Sequence, residues 1–105
     1  MLDLDRIAGF EWDAGNREKC TRHGVSIAEI ESVFDGTVAR HPDLAHSARE
    51  TRYLGIGRTT RGRYVFTAFT LRRRDGETWL RIINARFMHA REIRHYQKQA
   101  AQAPE

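Results

Sequence analysis

Two periodicities divide this chain. In SIAEIESVF the apolar residues Ile27, Ile30, Val33 and Phe34 recur at helical spacing and fall on one face. From residue 51 to residue 87 the apolar positions are aromatic and β-branched, and they come in strand-length runs broken by turn residues. A short strand is predicted at residues 10–12, FEW. Asp13 then reads as a helix N-cap, because its carboxylate can accept from the free backbone N–H groups of the first turn. That helix runs through NREKCTR to His23, and Gly24 stops it at low conformational cost. Ser26, with Glu29 three residues on, forms a capping box for a second helix that ends at Asp35-Gly36. A short strand at 37–40 and a polar loop at 41–48 follow. Strands are then predicted at 51–58, 63–71 and 78–87, joined by turns at TTRG and Asp75-Gly76. A last helix covers residues 90 to about 99, with Ile93 and Ala100 on one side. The order β-α-α-β-β-β-β-α predicts an α+β fold, a mostly antiparallel sheet with helices packed on it.

Length and composition narrow this picture. The 105 residues suit a single domain, with a core at about 10–98 and a tail at 99–105 whose end, AQAPE, is expected to fray. Cys20 is the sole cysteine, which rules out an internal disulfide and a cysteine zinc site and suggests a reducing cytoplasm. The start MLDLDRIAGF lacks a signal-peptide pattern, and no apolar run approaches the roughly 20 residues of a membrane span. No internal repeat or low-complexity segment is visible. Net charge is +4. Acidic residues collect early, from Asp3 to Asp35, whereas basic residues dominate from Arg49 to Lys98. A polyanion such as RNA or DNA, or an acidic protein, would meet the second half.

Candidate chemistry also lies mostly there. Strict alternation in the last strand places Trp79, Arg81, Ile83, Ala85 and Phe87 on one face and Leu80, Ile82, Asn84 and Arg86 on the other. Asn84 and Arg86 emerge together near the strand's end. Arg86 either pairs with a carboxylate such as Glu92 or clamps a phosphate, since a guanidinium offers two parallel donors. Arg52, Leu54, Ile56 and Arg58 share a face. Arg58 and Arg63 flank a turn and either line a basic groove or are solvated surface charge. Arg72, Arg73 and Arg74 beside the next turn are solvated charges that can steer a polyanion. His23 either caps its helix or serves as general acid or base, with Lys19 one turn earlier on the same face. Tyr96, four residues after Glu92, either packs on the sheet or presents its phenol or ring to a nucleotide; Trp12 and Tyr53 carry the same two readings. No HExxH, CxxC or clustered carboxylate motif suggests a metal, and no glycine-rich phosphate loop or GxSxG suggests nucleotide hydrolysis or acyl transfer.

FEWDAGNREKCTRHGVS, then ESVFD, RYLGIGRTTRGRYVFTAFT and RIINAR followed by a basic helix ending in Tyr, occur in an order that resembles the BrnT family, ribonuclease toxins of bacterial type II toxin–antitoxin systems. The likeness covers about residues 10–97. It implies a RelE-like fold with two N-terminal helices and one C-terminal helix on the sheet, RNA cleavage that arrests translation, and a cytoplasmic location. It also implies an antitoxin partner, BrnA, whose ribbon-helix-helix domain binds operator DNA, so that the toxin meets DNA only through that complex. Asn84 departs from the family, which usually has Ser there; the amide keeps hydrogen-bonding capacity but removes a hydroxyl. RNA brings its own nucleophile, the 2′-hydroxyl, so no cofactor or metal is expected. In this reading Arg58 and Arg86 hold the scissile phosphate, and His23, Glu92 or Tyr96 moves protons. Lys19, Arg52, Arg63, Arg81, Asn84 and Arg91 bind RNA. The alternatives are a basic binding module without catalysis, or a degenerate toxin that acts only as an antitoxin-bound co-repressor.

Overall fold

The computed structural model describes residues 6–47 and 50–102. Elements follow in the order β1 (Ile7–Phe10), α1 (Ala14–Thr21), α2 (Ile27–Val33), β2 (Ala39–Pro42), a short 3-10 turn (Leu44–His46), β3 (Arg52–Arg58), β4 (Tyr64–Arg74), β5 (Glu77–Phe87) and α3 (Ala90–Gln102). The strands form one five-stranded sheet in the order β1-β5-β4-β3-β2. All pairings are antiparallel except that of β1 with β5, which is parallel. This is the expected α+β arrangement, three helices and a mostly antiparallel sheet.

Both predicted helix starts are present. Asp13 accepts from the Asn16 backbone N–H at 3.0 Å, and the Asn16 side-chain oxygen accepts from the Asp13 N–H at 2.7 Å. That bond to Asn16, reinforced by Arg81, holds the Asp13 carboxyl below its ordinary range. Ser26 and Glu29 form the second reciprocal cap. α1 stops at Thr21 rather than His23, because the Gly24 N–H bonds back to the Thr21 carbonyl and Gly24 takes a φ of +93°.

β4 runs to Arg74, three residues beyond expectation, because a two-residue turn closes the β4–β5 hairpin. Asp75 and Gly76 both have positive φ, 53° and 79°, the sense of turn that matches strand twist. β1 begins three residues before the predicted FEW strand and shares Phe10 with it, while Glu11 and Trp12 lead into α1. The β2 pairing also sits later than predicted, reaching Pro42, and α3 continues to Gln102. The end of the predicted tail, 103–105, lies outside the described residues, as do positions 48 and 49.

One irregularity decides which side chains share a face. Ala68 pairs with Asn84, but Phe69 pairs with Ile82, so Ile83 is an extra residue in β5. This bulge resets the alternation. Leu80, Ile82, Ala85 and Phe87 lie with Val65, Thr67, Phe69 and Leu71 on one face, and Trp79, Arg81, Asn84 and Arg86 lie on the other. The strict alternation expected from the sequence was therefore wrong beyond Ile82. Arg81 and Arg86 share a face.

α1 and α2 cover the first face. The core there contains Phe69, Ile30, Leu80, Ile82, Val25, Val33 and Cys20, all essentially inaccessible to solvent. Phe69 contacts the Phe34 ring edge-on at 5.4 Å and stacks with Tyr53 at 5.6 Å. Asn16 is buried and anchors α1 by donating to the carbonyls of Glu11 and Ile82 at 2.9 and 3.1 Å. Cys20 packs on the same strand, and burial pushes its thiol up to about 11. Gly57 lets α2 come close: a Cβ there would lie 2.8 Å from the Val33 side chain. Tyr64, Phe66, Leu54 and Ile56 belong to the opposite face, where α3 lies. Among the described residues no helix is long and apolar enough to cross a membrane.

Candidate functional site

The second face of the sheet brings two of the predicted arginines together over the central strand. Arg58 at the end of β3 pairs in register with Tyr64, and its guanidinium carbon lies 5.2 Å from that ring's centroid. Arg86 on β5 pairs in register with Phe66, and its guanidinium carbon lies 4.9 Å from the Phe66 centroid. Tyr64 and Phe66 are two residues apart on β4 and so point the same way. Arg58 leans in from one neighbouring strand and Arg86 from the other, each over a ring of the strand between. Tyr96 of α3 completes the cluster, edge-on to Tyr64 at 6.0 Å. A pocket of about 340 Å³ opens here, lined by Thr37, Gly57, Arg58, Tyr64 and Tyr96 among others.

The two arginines differ in electrostatic state. Arg58 is exposed, and among the described residues no carboxylate contacts it. Arg86 donates through both terminal nitrogens to Glu92, at 2.7 and 2.8 Å. Of the two expectations for Arg86, the carboxylate pair is the one the structure shows. Glu92 also accepts from the His89 N–H at 3.0 Å and thereby caps α3. The Arg86 hydrogen bonds, followed by that of His89, hold the Glu92 carboxyl down at about 2, and the same pairing raises Arg86.

A pH dependence follows. The folded-state value of Glu92 lies below its ordinary 4.5, so the pair's stabilisation is complete above about pH 4.5 and is lost as pH falls towards 2. Thermal melts of wild type and Glu92→Gln should therefore differ by a constant amount from pH 7 to pH 5, and the two should converge below pH 4.5. A difference that grew on acidification would contradict this assignment.

The remaining predicted residues separate. Arg81 also lies on the second face, but its Nη1 is held by Asp13 at 2.8 Å and Glu11 at 3.3 Å. Glu11 is shared with Arg72 at 3.2 Å and Arg74 at 3.6 Å, so this end of the sheet is internally neutralised. Arg72 is thus a network member rather than the freely solvated charge expected. Arg52 is half-buried, its Nε 3.9 Å from the Asp43 carboxylate, and it adjoins Thr70 in register. Asn84 is exposed and uses its amide oxygen to accept from the Ala85 N–H at 2.9 Å, which holds the bulge. Arg91 is exposed on α3.

Arg63 does not join Arg58 in one groove. It falls on the other face, with its guanidinium 3.5 Å from the Phe87 ring centroid. His23 and Lys19 are exposed on or just after α1, which packs on the helix-covered face, and no contact links either to the Arg58–Arg86 cluster among the described residues. Tyr64, Phe66 and Thr37 were not among the site residues expected from the sequence. The first two were recoverable: pairing across the 59–63 turn places residue 64 opposite residue 58, and 66 repeats its direction. Among the described residues no group of three His, Cys, Asp or Glu side chains is placed to hold a metal ion.

A family model described as a ribonuclease toxin, BrnT, of type II toxin–antitoxin system matches residues 12–92. The chain belongs to the BrnT family. The match runs from Trp12, whose indole N–H donates to Glu31 at 2.9 Å, to Glu92, the partner of Arg86. It thus spans both arginines of the cluster and ends within the first turn of α3. BrnT proteins are ribonuclease toxins, which gives this chain RNA as substrate class and an antitoxin as partner. No curated protein matches the chain.

Proposed function

We propose that this BrnT-family chain cleaves RNA without a metal ion and that the cluster over β4 is where it does so. The observation that carries the reading is the convergence of Arg58 and Arg86 on adjacent, same-facing rings of one strand, beside a pocket that also holds Tyr96. The 2′-hydroxyl of a ribose attacks the adjacent phosphorus, the bond from phosphorus to the 5′-oxygen breaks, and a 2′,3′-cyclic phosphate and a 5′-hydroxyl result. Negative charge builds on the phosphoryl oxygens in this step. Fixed guanidinium donors stabilise it more than they stabilise the starting diester, which is what accelerates the step. Arg58 makes the primary contact because no carboxylate competes for it. Arg86 makes the second, held in place by Glu92 and Phe66.

Tyr96, which lines the pocket beside Arg58, gives a proton to the leaving 5′-oxygen in this reading, while the 2′-hydroxyl proton passes to solvent. Glu92, held ionised down to about pH 2, acts as a positioning carboxylate for Arg86 rather than as a proton donor. His23 and Lys19 have no part in this reading, which supersedes their assignment from sequence. Arg52, Asn84 and Arg91 extend the binding track. Arg81 and Arg63, engaged elsewhere, contribute to the field rather than to phosphate contact. The antitoxin is proposed to be a BrnA-like ribbon-helix-helix protein, operator DNA is met only through it, and the whole chain acts as one toxin unit in the cytoplasm.

The test is incubation of purified, antitoxin-free protein with single-stranded RNA in excess EDTA, with a 2′-deoxy oligonucleotide as control. Cleavage of RNA alone, leaving cyclic phosphate ends, is expected. Cleavage that requires an added divalent ion, or that also cuts the deoxy strand, would overturn the mechanism. A folded protein that binds both strands and cuts neither would favour the basic binding module; one that neither binds nor cuts RNA but still binds the antitoxin would favour the degenerate, co-repressor reading, for which Asn84 and the occupied Arg86 are the motivating features.

A further inference from the structure

A second depression adjoins the cluster and differs from it in character. It is a groove of about 510 Å³ between α3 and the open part of the second face, lined by Ala39, Leu54, Ile56, Phe66, Tyr96 and Ala100 among others. Its floor is apolar and half-buried, and a volume of this size lies within the range of about 300–1,000 Å³ typical of ligand sites. α3 does not fill it. Only Glu92, Ile93 and Tyr96 of that helix are half-buried, and its other described side chains are exposed. Surface that combines an apolar floor with a polar rim marks an interaction site.

We infer that this groove receives one segment of the antitoxin, apolar towards the sheet and acidic on its outer side. Charge selects the occupant. The wall helix carries Arg91, Arg94 and Lys98, and its one carboxylate among the described residues, Glu92, is already neutralised by Arg86. An acidic segment is therefore attracted, whereas a second copy of this chain, with a net charge of +4, is repelled. The phosphates and hydroxyls of RNA would find no hydrogen-bonding partner on the floor of Leu54 and Ile56. Position links the groove to function: Ile56 and Tyr96 line both the groove and the Arg58 pocket. A segment seated in the groove therefore covers Tyr96 and closes the pocket from one side, which is direct neutralisation of the toxin. This inference rests on the family's antitoxin partner and on the site reading above.

The test uses Ala39→Trp and Ala100→Trp, which add bulk to the groove without changing its charge. Both alanines are exposed, on opposite walls, and neither belongs to the proposed catalytic set, so each variant fills the groove without touching the core. The probe is the antitoxin encoded by the adjacent reading frame, and the readouts are its Kd and the RNA cleavage rate of the free toxin. Each variant is expected to bind the antitoxin at least tenfold more weakly, to cleave RNA within twofold of wild type, and to escape neutralisation at antitoxin levels that silence wild type. Unchanged affinity in both variants would overturn the inference. So would lost cleavage with antitoxin binding intact, which would make the groove an RNA channel, or a wild-type dimer that Ala100→Trp dissociates. If wild type itself cut no RNA, the catalytic reading would fail, while the Kd comparison would still decide the groove.

Discussion

Arg58→Ala is expected to lower RNA cleavage by about 10²- to 10³-fold while changing stability by less than about 1 kcal/mol. The large effect follows from the placement of the side chain. Arg58 lies over Tyr64 beside a pocket shared with Tyr96, and among the described residues no carboxylate competes for its donors. A donor fixed where charge develops stabilises the transition state without reorganising, and removing one such donor elsewhere costs this much. The small effect on folding follows from exposure. The substitution removes one cation–π contact of about 0.5–1 kcal/mol and no buried hydrogen bond. Rates under single-turnover conditions, with thermal melts in parallel, check both halves. Cleavage within threefold of wild type would exclude Arg58 from the site. A fall in rate matched by a fall in stability would reassign it to structure.

Phe69→Ala is expected to show the reverse pattern in magnitude, a loss of about 3–5 kcal/mol of folding stability. Phe69 is fully buried at the centre of β4, between the edge-on ring of Phe34 from the helical layer and the stacked ring of Tyr53 from β3. Truncation removes its apolar transfer energy and leaves a cavity whose walls are a sheet and two short capped helices, which cannot close over it. Total stability for a domain of this kind is about 5–15 kcal/mol, so the variant is expected to sit near the threshold of folding. Each kcal/mol shifts the melting temperature of a domain this small by about 4–8 °C, so a drop of more than about 10 °C is predicted. A melt within a few degrees of wild type would show that the helices repack over the sheet and that the packing around Phe69 is not fixed.

The two effects live on opposite faces of one sheet, Arg58 on β3 and Phe69 on β4, and that separation was only partly legible in the sequence. The capping boxes at Asp13 and Ser26 were legible because they are local: the partner lies three residues away. The three long strands were legible for a similar reason, since their apolar runs end in turn residues. The face occupied by Arg86 relative to Arg81 was not. It depends on a bulge at Ile83, and a bulge is a property of the pairing between β4 and β5, which a single strand's alternation does not encode. The parallel docking of β1 is likewise a contact between residues far apart in the chain. Arg86 with Glu92 was foreseeable as a pair because the two are close in sequence. The layer on which His23 lies was not legible, because a helix end with a histidine carries no mark of the layer it faces. The groove under α3 left a trace, Ile93 and Ala100 on one side of a basic helix, but its floor comes from β3 and β4.

RNA is expected to lie along the α3 side of the sheet, and the salt dependence of binding tests this. An uncleavable 2′-deoxy analogue of the RNA would be titrated into wild type, Arg58→Ala and Lys19→Ala across a range of salt concentrations. Each phosphate neutralised on a single strand contributes about 0.7 to the slope of log affinity against log salt. The slope is predicted to fall by about that amount in Arg58→Ala and to stay at the wild-type value in Lys19→Ala, which sits on the helical face. A slope lost with Lys19 and kept without Arg58 would place the RNA on the opposite side and contradict the account.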